Sequence, residues 1–191
     1  ANWRSIFSEK LTANFSFGYD HYDYRNDESV EEAAAARLSF AINQWFGKVD
    51  FSYKLDNNHT LNFGLMSQFY NINSGTYEPL HESSLVKWDQ LQKDKALESA
   101  IYIGDQWEIT PKLSVNAGIR YSMFNLLGPR TYYTYQDGML PSSTTVVDSV
   151  SVGGGKVVKT YQGPEFRLSA RYAFNDDFSV KAGFNLSLIH I

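Results

Sequence analysis

Hydrophobic and polar residues alternate with a period of two along much of this chain. The alternation is plainest after Pro111, where odd positions from Leu113 to Tyr121 are apolar or aromatic and even positions are polar or small. Successive side chains of a β-strand point to opposite faces, so the pattern predicts strands with one apolar and one polar face. The runs are about 10 to 14 residues long, which suits a tilted strand crossing a membrane better than a strand of a soluble sheet.

Two kinds of connection separate these strands, and they alternate strictly. Tight turns, each followed by a similar outgoing strand, lie at Ser8–Lys10, Asp56–Asn58, Thr110–Lys112 and Asn175–Asp177. Long connections rich in Ser, Asn, Asp and Gly lie between them, at about Arg25–Ala35, Asn73–Lys95 and Asn125–Gln162. Short periplasmic turns and long extracellular loops are typical of membrane barrels. We therefore predict an all-β fold of about eight antiparallel up-and-down strands, with a further hairpin in Val146–Tyr161 folded at Gly153–Gly155.

Basic residues indicate which face of these strands is the inner one. At about 2.5 Å of height per tilted residue, Arg120 and Arg167 lie roughly 20 Å above their turns, where facing lipid would cost each about 2 to 4 kcal/mol. Arg171 and Lys181 share their face. As a functional hypothesis, the four cations line a lumen and meet an acidic partner surface or an anionic solute. The alternative is a solvated polar lining with no specific role.

Aromatic residues near the tight turns predict an interfacial girdle. Trp107, Phe174 and Phe178 lie at the feet of their strands, where membrane barrels carry such residues. Asp105 interrupts the apolar face that Ile103 and Trp107 share. Either a bulge flips the register there, or Asp105 lies low enough to reach water, and the sequence leaves both open.

Composition and charge exclude several classes of function. The net charge of −4 gives no support to nucleic-acid binding, and the absence of Cys excludes thiolate chemistry and disulfides. The histidines are far apart in sequence and no nucleophile–His–acid set has interpretable spacing, so we predict no catalytic, cofactor-binding or metal-binding residues and no enzyme activity; these histidines are His21, His59, His81 and His190. No apolar stretch is long enough for a transmembrane helix, and the first residues contain no export signal.

Three segments resemble TonB-dependent outer-membrane receptors, most closely those of Bacteroidetes-type bacteria. The most specific is "YIGDQWEITPKLSVNAGIRY" within Ala96–Asn125, and the others are Gly163–Asn185, with "GPEFRLSARY", and Lys48–Gly64. The resemblance implies a 22-stranded barrel in the outer membrane of a Gram-negative bacterium, with a plug domain of the same chain inside it. It also implies an extracellular site for a siderophore, vitamin or glycan, and energy from the TonB complex through an N-terminal part.

The resemblance divides the chain and locates the expected ligand site. Residues 1–185 would be a partial barrel domain, and Leu186–Ile191 read like a translated sequencing adapter, so we expect them to be non-native. Ligand contacts would come from aromatic residues of the long connections, namely Tyr77, Trp88, Tyr132, Tyr133 and Tyr135. The alternatives are a complete small outer-membrane barrel with a structural or adhesive role, an outer-membrane hydrolase and a soluble sandwich.

Overall fold

The computed structural model describes residues 1–187 and consists almost entirely of β-strands. The strands are β1 Asn2–Ile6, β2 Leu11–Glu28, β3 Ala36–Lys54, β4 His59–Pro79, β5 Asp89–Gln90, β6 Asp94–Thr110, β7 Leu113–Leu127, β8 Arg130–Tyr135, β9 Val146–Val152, β10 Val157–Ala173 and β11 Ser179–Leu186. A short 3-10 turn, Glu32–Ala34, lies between β2 and β3. Among the described residues there is no helix long and apolar enough to span a membrane.

Eight of these strands form one antiparallel sheet in chain order. The order across it is β1-β2-β3-β4-β6-β7-β10-β11, while β5 pairs with β4 and β8 pairs with β9 in a separate two-stranded sheet. Every neighbouring pair is antiparallel. The prediction of an all-β, up-and-down arrangement of about eight strands is confirmed.

The six central strands are longer than predicted. They contain 15 to 21 residues each. Apolar alternation covers only the part of each strand next to its tight turn, whereas backbone pairing needs no apolar side chain and continues beyond it. The long connections are correspondingly shorter than predicted, because the strand ends take up their first and last residues.

The tight turns are held by their own polar side chains. At the turn between β3 and β4, the Asp56 carboxylate accepts hydrogen bonds from the backbone N–H groups of Asn58 and His59, both at 2.8 Å. These two bonds hold the pKa of Asp56 below its ordinary value. Asn175 makes the equivalent bond to the Phe178 N–H at 2.7 Å.

The predicted hairpin folded at Gly153–Gly155 is wrong. β9 pairs with the preceding strand β8, whereas β10 pairs with β7 and β11. The glycine turn instead returns the chain to the main sheet, with the Lys156 N–H donating to the Gly153 carbonyl. The valine-rich pattern on both sides of the glycines was compatible with either pairing, and long-range pairing with β7 decided it.

The strands are tilted relative to the end of the sheet at which the tight turns lie. Phe15 on β2 and Pro164 on β10 belong to one row of register partners, five strand steps apart. Phe15 lies 6 residues from the turn residue Glu9, but Pro164 lies 12 residues from the turn residue Asp176. The offset of about 1.2 residues per strand corresponds to a tilt of about 40°, which is typical of barrels.

The sheet has two chemically different faces. Register partners share a face, so the odd positions of β1 to β7 lie on the same side as the even positions of β10 and β11. This side, the apolar face, contains residues such as Leu65, Ile101, Tyr121 and Phe166. The opposite side, the polar face, contains the ion pairs described below.

Asp105 lies on the apolar face, which resolves the alternative that the sequence left open. It pairs in register with Leu61 and Ala117, and the nearest irregularity in β6 falls after it, between Glu108 and Thr110. Its carboxylate is 2.6 Å from Nδ1 of His59, the first residue of β4. Asp105 is therefore low on the sheet and reaches a polar group at the turn edge.

The predicted tail is only partly described. Leu186 is the last residue of β11 and pairs with Phe166. Residues 188–191 lie outside the described residues. The boundary after residue 185 and the non-native origin of Leu186–Ile191 stay predictions.

The two-faced sheet predicts opposite effects of the same charge on adjacent residues. Leu168, on the apolar face, and Ser169, on the polar face, lie near the middle of β10. We expect Leu168→Arg to lower the free energy of unfolding by about 2 to 4 kcal/mol, because its guanidinium enters hydrocarbon, and Ser169→Arg to change it by less than about 1 kcal/mol. Urea titration in lipid vesicles measures both. Equal effects would contradict the assignment of faces.

Candidate functional site

The polar face contains an ion-pair network centred on Arg120 of β7. Its guanidinium lies 3.3 Å from the Glu98 carboxylate on β6 and 3.6 Å from the Glu165 carboxylate on β10. It also donates to Ser122 Oγ at 2.9 Å, and the Tyr70 hydroxyl donates to Glu98 at 3.1 Å. Glu165 is only 4% exposed. The network joins strands β4, β6, β7 and β10, and Arg120 is neutralised within the sheet.

A second polar cluster bridges three strands across a glycine. Asp50, Gly64 and Tyr102 are register partners on β3, β4 and β6. The Tyr102 hydroxyl passes over Gly64 and donates to Asp50, whose carboxylate also lies 2.9 Å from Lys48 Nζ. A Cβ at Gly64 would lie 2.5 Å from the Tyr102 oxygen and 2.2 Å from the Val49 carbonyl oxygen. Only glycine leaves room for this crossing.

The four basic residues predicted to share a face do share it, but they differ in their partners. Arg167 and Arg171 are exposed on β10 and Lys181 is exposed on β11. No carboxylate of residues 1–187 forms an ion pair with any of these three, in contrast to Arg120. Arg167 and Lys181 line an open depression of about 430 Å³ whose floor includes Gly104 and Gly118.

The aromatic residues proposed for ligand contact form two groups. Both groups lie within the long connections or at the strand ends next to them. Tyr77 lies on β4 in register with Asp89, and Trp88 directly precedes β5 and is 61% exposed. The three tyrosines lie in the β8–β9 hairpin, with the rings of Tyr133 and Tyr135 6.5 Å apart. The other ring, Tyr132, lies 5.3 Å from the Arg130 guanidinium.

The β8–β9 hairpin is held against the ends of β4 and β6 in the main sheet by ionic and polar contacts. Arg130, its first residue, donates to the Asp94 carboxylate at the start of β6. Asp94 also accepts a hydrogen bond from Ser74 of β4 at 3.1 Å. The aromatic residues of the hairpin are thereby positioned beside the end of the sheet.

Aromatic residues occur near both ends of the apolar face. At the turn edge, Trp107 stacks on His59 at 5.3 Å, and Phe174 lies 5.4 Å from Phe178. The opposite end was not predicted: Tyr19 and Trp45 lie 4.4 Å apart. Two residues further from the tight turns, the same face carries three polar register partners, His21, Asn43 and Asn71. Tyr53 and Trp45 on β3 are eight residues apart, about 20 Å in height and close to the ~25 Å apolar band of membrane barrels.

The acidic half of the polar network was not predicted from the sequence. Glu98 and Glu165 lie on the same face as Arg120 because Tyr102 and Glu165 are its register partners and Glu98 is four residues from Tyr102 on β6. The alternation placed each residue on a face, but the pairing distance between strands was needed to bring these carboxylates to Arg120. No group of His, Cys, Asp or Glu side chains in the described part of the chain is arranged to hold a metal ion.

A tilted sheet with an aromatic-bordered apolar face and a polar face rich in ion pairs defines the wall of a membrane β-barrel. Sequence comparison identifies the family. The sequence profile described as "TonB dependent receptor-like, beta-barrel" matches residues 1–187. The chain therefore belongs to this family, which confirms the resemblance; the Bacteroidetes type stays a prediction. A search of curated protein sequences found no match.

Two solved structures show the same fold. The chain is similar to the copper transporter OprC, with a TM-score of 0.65, 14% identity and 95% of this chain covered. It is also similar to the open form of the ferric-catecholate import receptor Fiu from E. coli K12, with a TM-score of 0.56, 12% identity and 97% of this chain covered. The chain spans 29% of the first structure and 34% of the second.

The Arg120 network makes a testable contribution to stability. Arg120→Met leaves two carboxylates without their cation, so we expect a loss of about 3 to 5 kcal/mol in the free energy of unfolding. Adding Glu165→Gln should recover part of this loss, which a double-mutant cycle measures. Arg25→Met, at a side chain that is 68% exposed, is the control and should change stability by less than about 0.5 kcal/mol. Additive effects of Arg120→Met and Glu165→Gln would show that the two residues are not coupled.

The glycine crossing gives a second stability test. Gly64→Ala should press its Cβ against the Val49 carbonyl oxygen and the Tyr102 side chain and break the hydrogen bond of Tyr102 to Asp50, lowering the free energy of unfolding by about 1 to 3 kcal/mol. Gly47→Ala on β3 is the matched control, because nothing lies within 4 Å of a Cβ there. Denaturant titration of both variants in vesicles measures the difference. Equal free energies of unfolding for the two variants would contradict a stabilising role for the close packing at Gly64.

Proposed function

We propose that this chain forms part of the barrel wall of an outer-membrane importer that takes up a scarce nutrient with energy from TonB. Membership of the TonB-dependent receptor family supports the proposal. The observation that carries it is the contrast between the two faces of the tilted sheet. The apolar face suits lipid, and the polar face suits a wet lumen closed by a plug domain of the same chain.

The long connections are the proposed ligand side. They bring Trp88, Tyr133 and Tyr135 to the end of the sheet opposite the tight turns. Exposed aromatic rings on a hairpin that is anchored by Arg130 and Asp94 can stack on an aromatic chelate, a vitamin ring or a sugar. We propose a siderophore, a vitamin or a glycan as the ligand. The two similar structures carry names that specify copper and ferric catecholate, and these names refer to those proteins.

The alternative of a complete eight-stranded barrel receives less support. Such a barrel would pair its first strand with its last. Within residues 1–187, β1 and β11 lie at opposite edges of the sheet and pair only with β2 and β10. A wall segment of a wider barrel fits this open arrangement better. We therefore propose that the chain is one part of a longer receptor.

Energised uptake tests the proposed function. The full-length receptor containing this chain should take up one of three radiolabelled probes, a ferric catecholate, a cobalamin or an oligosaccharide, in cells that have TonB. Collapse of the proton-motive force or deletion of TonB should reduce the uptake to background. Uptake of a probe that persists without TonB would contradict the proposal and indicate a passive pore.

The ligand side has its own test, with the probe that is taken up. Trp88→Ala and Tyr133→Ala each remove an exposed ring, so we expect binding about tenfold or more weaker without a change in thermal stability. Thr134→Ala, on the same strand as Tyr133, is the matched control and should bind normally. Wild-type affinity in both aromatic variants would contradict a ligand site at these residues.

A further inference from the structure

Tyr132, Lys159 and Tyr161 form one surface, the Lys159 surface, at the base of the β8–β9 hairpin. The ammonium nitrogen of Lys159 lies 4.8 Å from the centre of the Tyr161 ring. The Tyr161 hydroxyl raises the pKa of the Lys159 amine by stabilising its positive charge, and Tyr132 acts in the same direction, so both rings lie near this amine. Lys159 therefore stays protonated at neutral pH beside two aromatic rings.

Register and height place the Lys159 surface at the outer end of the polar face. Lys159 pairs with Leu126 and Tyr161 pairs with Phe124, and both partners lie on the polar face of β7. Lys159 is 17 residues from the turn residue Asp176, which is about 40 Å in height at ~2.5 Å per residue and exceeds the ~25 Å apolar band. The surface therefore lies in water, at the end of the sheet proposed as the ligand side.

The base of the hairpin is held on the polar face, which brings Tyr132 towards Lys159. Arg130, two residues before Tyr132 on β8, donates to the carboxylate of Asp94, which is an even position of β6 and therefore a polar-face residue. The Arg130 guanidinium also lies 5.3 Å from the Tyr132 ring. Arg130 is thus neutralised by Asp94, whereas Lys159 contacts rings and belongs to no ion pair within residues 1–187.

The neighbouring strands are apolar at the height of Lys159. Its register partner Leu126 is half-buried, and Ala96, the next residue in the same row, is buried. Tyr132 is 38% exposed and Tyr161 is 50% exposed, so both rings are accessible. Tyrosine rings contact the faces of planar rings and sugars, and an ammonium group forms charge-assisted hydrogen bonds to carboxylates. This combination fits a ring that carries an acidic group.

We propose that the Lys159 surface selects a ligand with an acidic group beside a ring. Lys159 pairs with the acidic group, and Tyr132 and Tyr161 contact the ring. This inference rests on the proposed function, because it concerns the ligand side of the same receptor. The ligand is then either an acidic sugar or an anionic aromatic group. Lys159 determines specificity, because a neutral ring keeps the contacts with the tyrosines and loses the ionic one.

Two pairs of matched probes test the proposal in the full-length receptor in detergent. Salicylate and methyl salicylate share an aromatic ring and differ in charge, and trigalacturonate and its trimethyl ester are the equivalent pair of sugars. Isothermal titration calorimetry at millimolar probe concentrations measures the four dissociation constants. In at least one pair we expect the acid to bind about tenfold or more tightly than its ester, because only the acid forms a charge-assisted hydrogen bond with Lys159. The pair that shows this preference distinguishes an aromatic ligand from a sugar.

Charge variants identify the residue that causes the preference. Lys159→Gln should bring the affinity ratio of acid to ester close to one, and Lys159→Arg, which keeps the charge, should preserve most of it. Lys156→Gln is the matched control, because it removes the same charge from an exposed residue at the hairpin base and should leave the ratio unchanged. The ratio in wild type should also fall in 1 M salt, where the Debye length is about 3 Å.

Three outcomes would overturn the proposal. They are equal affinity for acid and ester in both pairs, a preference that survives Lys159→Gln, and no binding of either acid. TonB-dependent uptake separates this inference from the proposed function. Uptake that needs TonB, without a preference for the acids, would leave the proposed function standing and the inference refuted. Uptake that persists without TonB would contradict the proposed function and the inference with it.

Discussion

Backbone hydrogen bonding is the constraint on which this structure depends, because hydrocarbon offers no partner to an N–H or C=O group. A strand that faces lipid on one side must therefore be paired on both of its edges. The ladders from β2 to β10, whose register shifts all lie near strand ends, meet this requirement. Pairing holds the strands about 4.8 Å apart and sends alternate side chains to opposite faces, so both the apolar band and the polar lining follow from it.

Side-chain chemistry then adapts to that backbone frame on each face separately. On the polar face, Gly64 allows Tyr102 to cross β4, and Arg120 collects two carboxylates from its neighbouring strands. On the apolar face, Asp105 occurs low on the sheet, where its carboxylate lies 2.6 Å from Nδ1 of His59. Arg120 and Lys48 are thus compensated inside the sheet, whereas Arg167 and Arg171 of β10 form no ion pair within residues 1–187.

Most of the fold could be predicted from the sequence, because period-two alternation and tight turns are local signals. The face on which each side chain lies, and the position of the tight turn beside it, followed directly from runs such as Leu113–Tyr121. Features that depend on pairing could not be predicted in this way. The ends of the strands, the partner of β9 and the carboxylates beside Arg120 require register across strands that are distant in sequence. The face of Asp105 could not be predicted for the same reason. It depends on where the bulge in β6 lies, and the bulge follows Asp105 in the chain.

Site-by-site accessibility along β10 tests the two-faced wall most directly. The chain contains no cysteine, so single cysteines can be introduced from Pro164 to Tyr172 and spin-labelled one at a time in the lipid-embedded receptor. Collision with oxygen, which concentrates in hydrocarbon, should peak at even positions, and collision with a water-soluble nickel chelate should peak at odd positions. Loss of this alternation, or the opposite phase, would contradict a strand with one side in lipid and the other in a wet lumen.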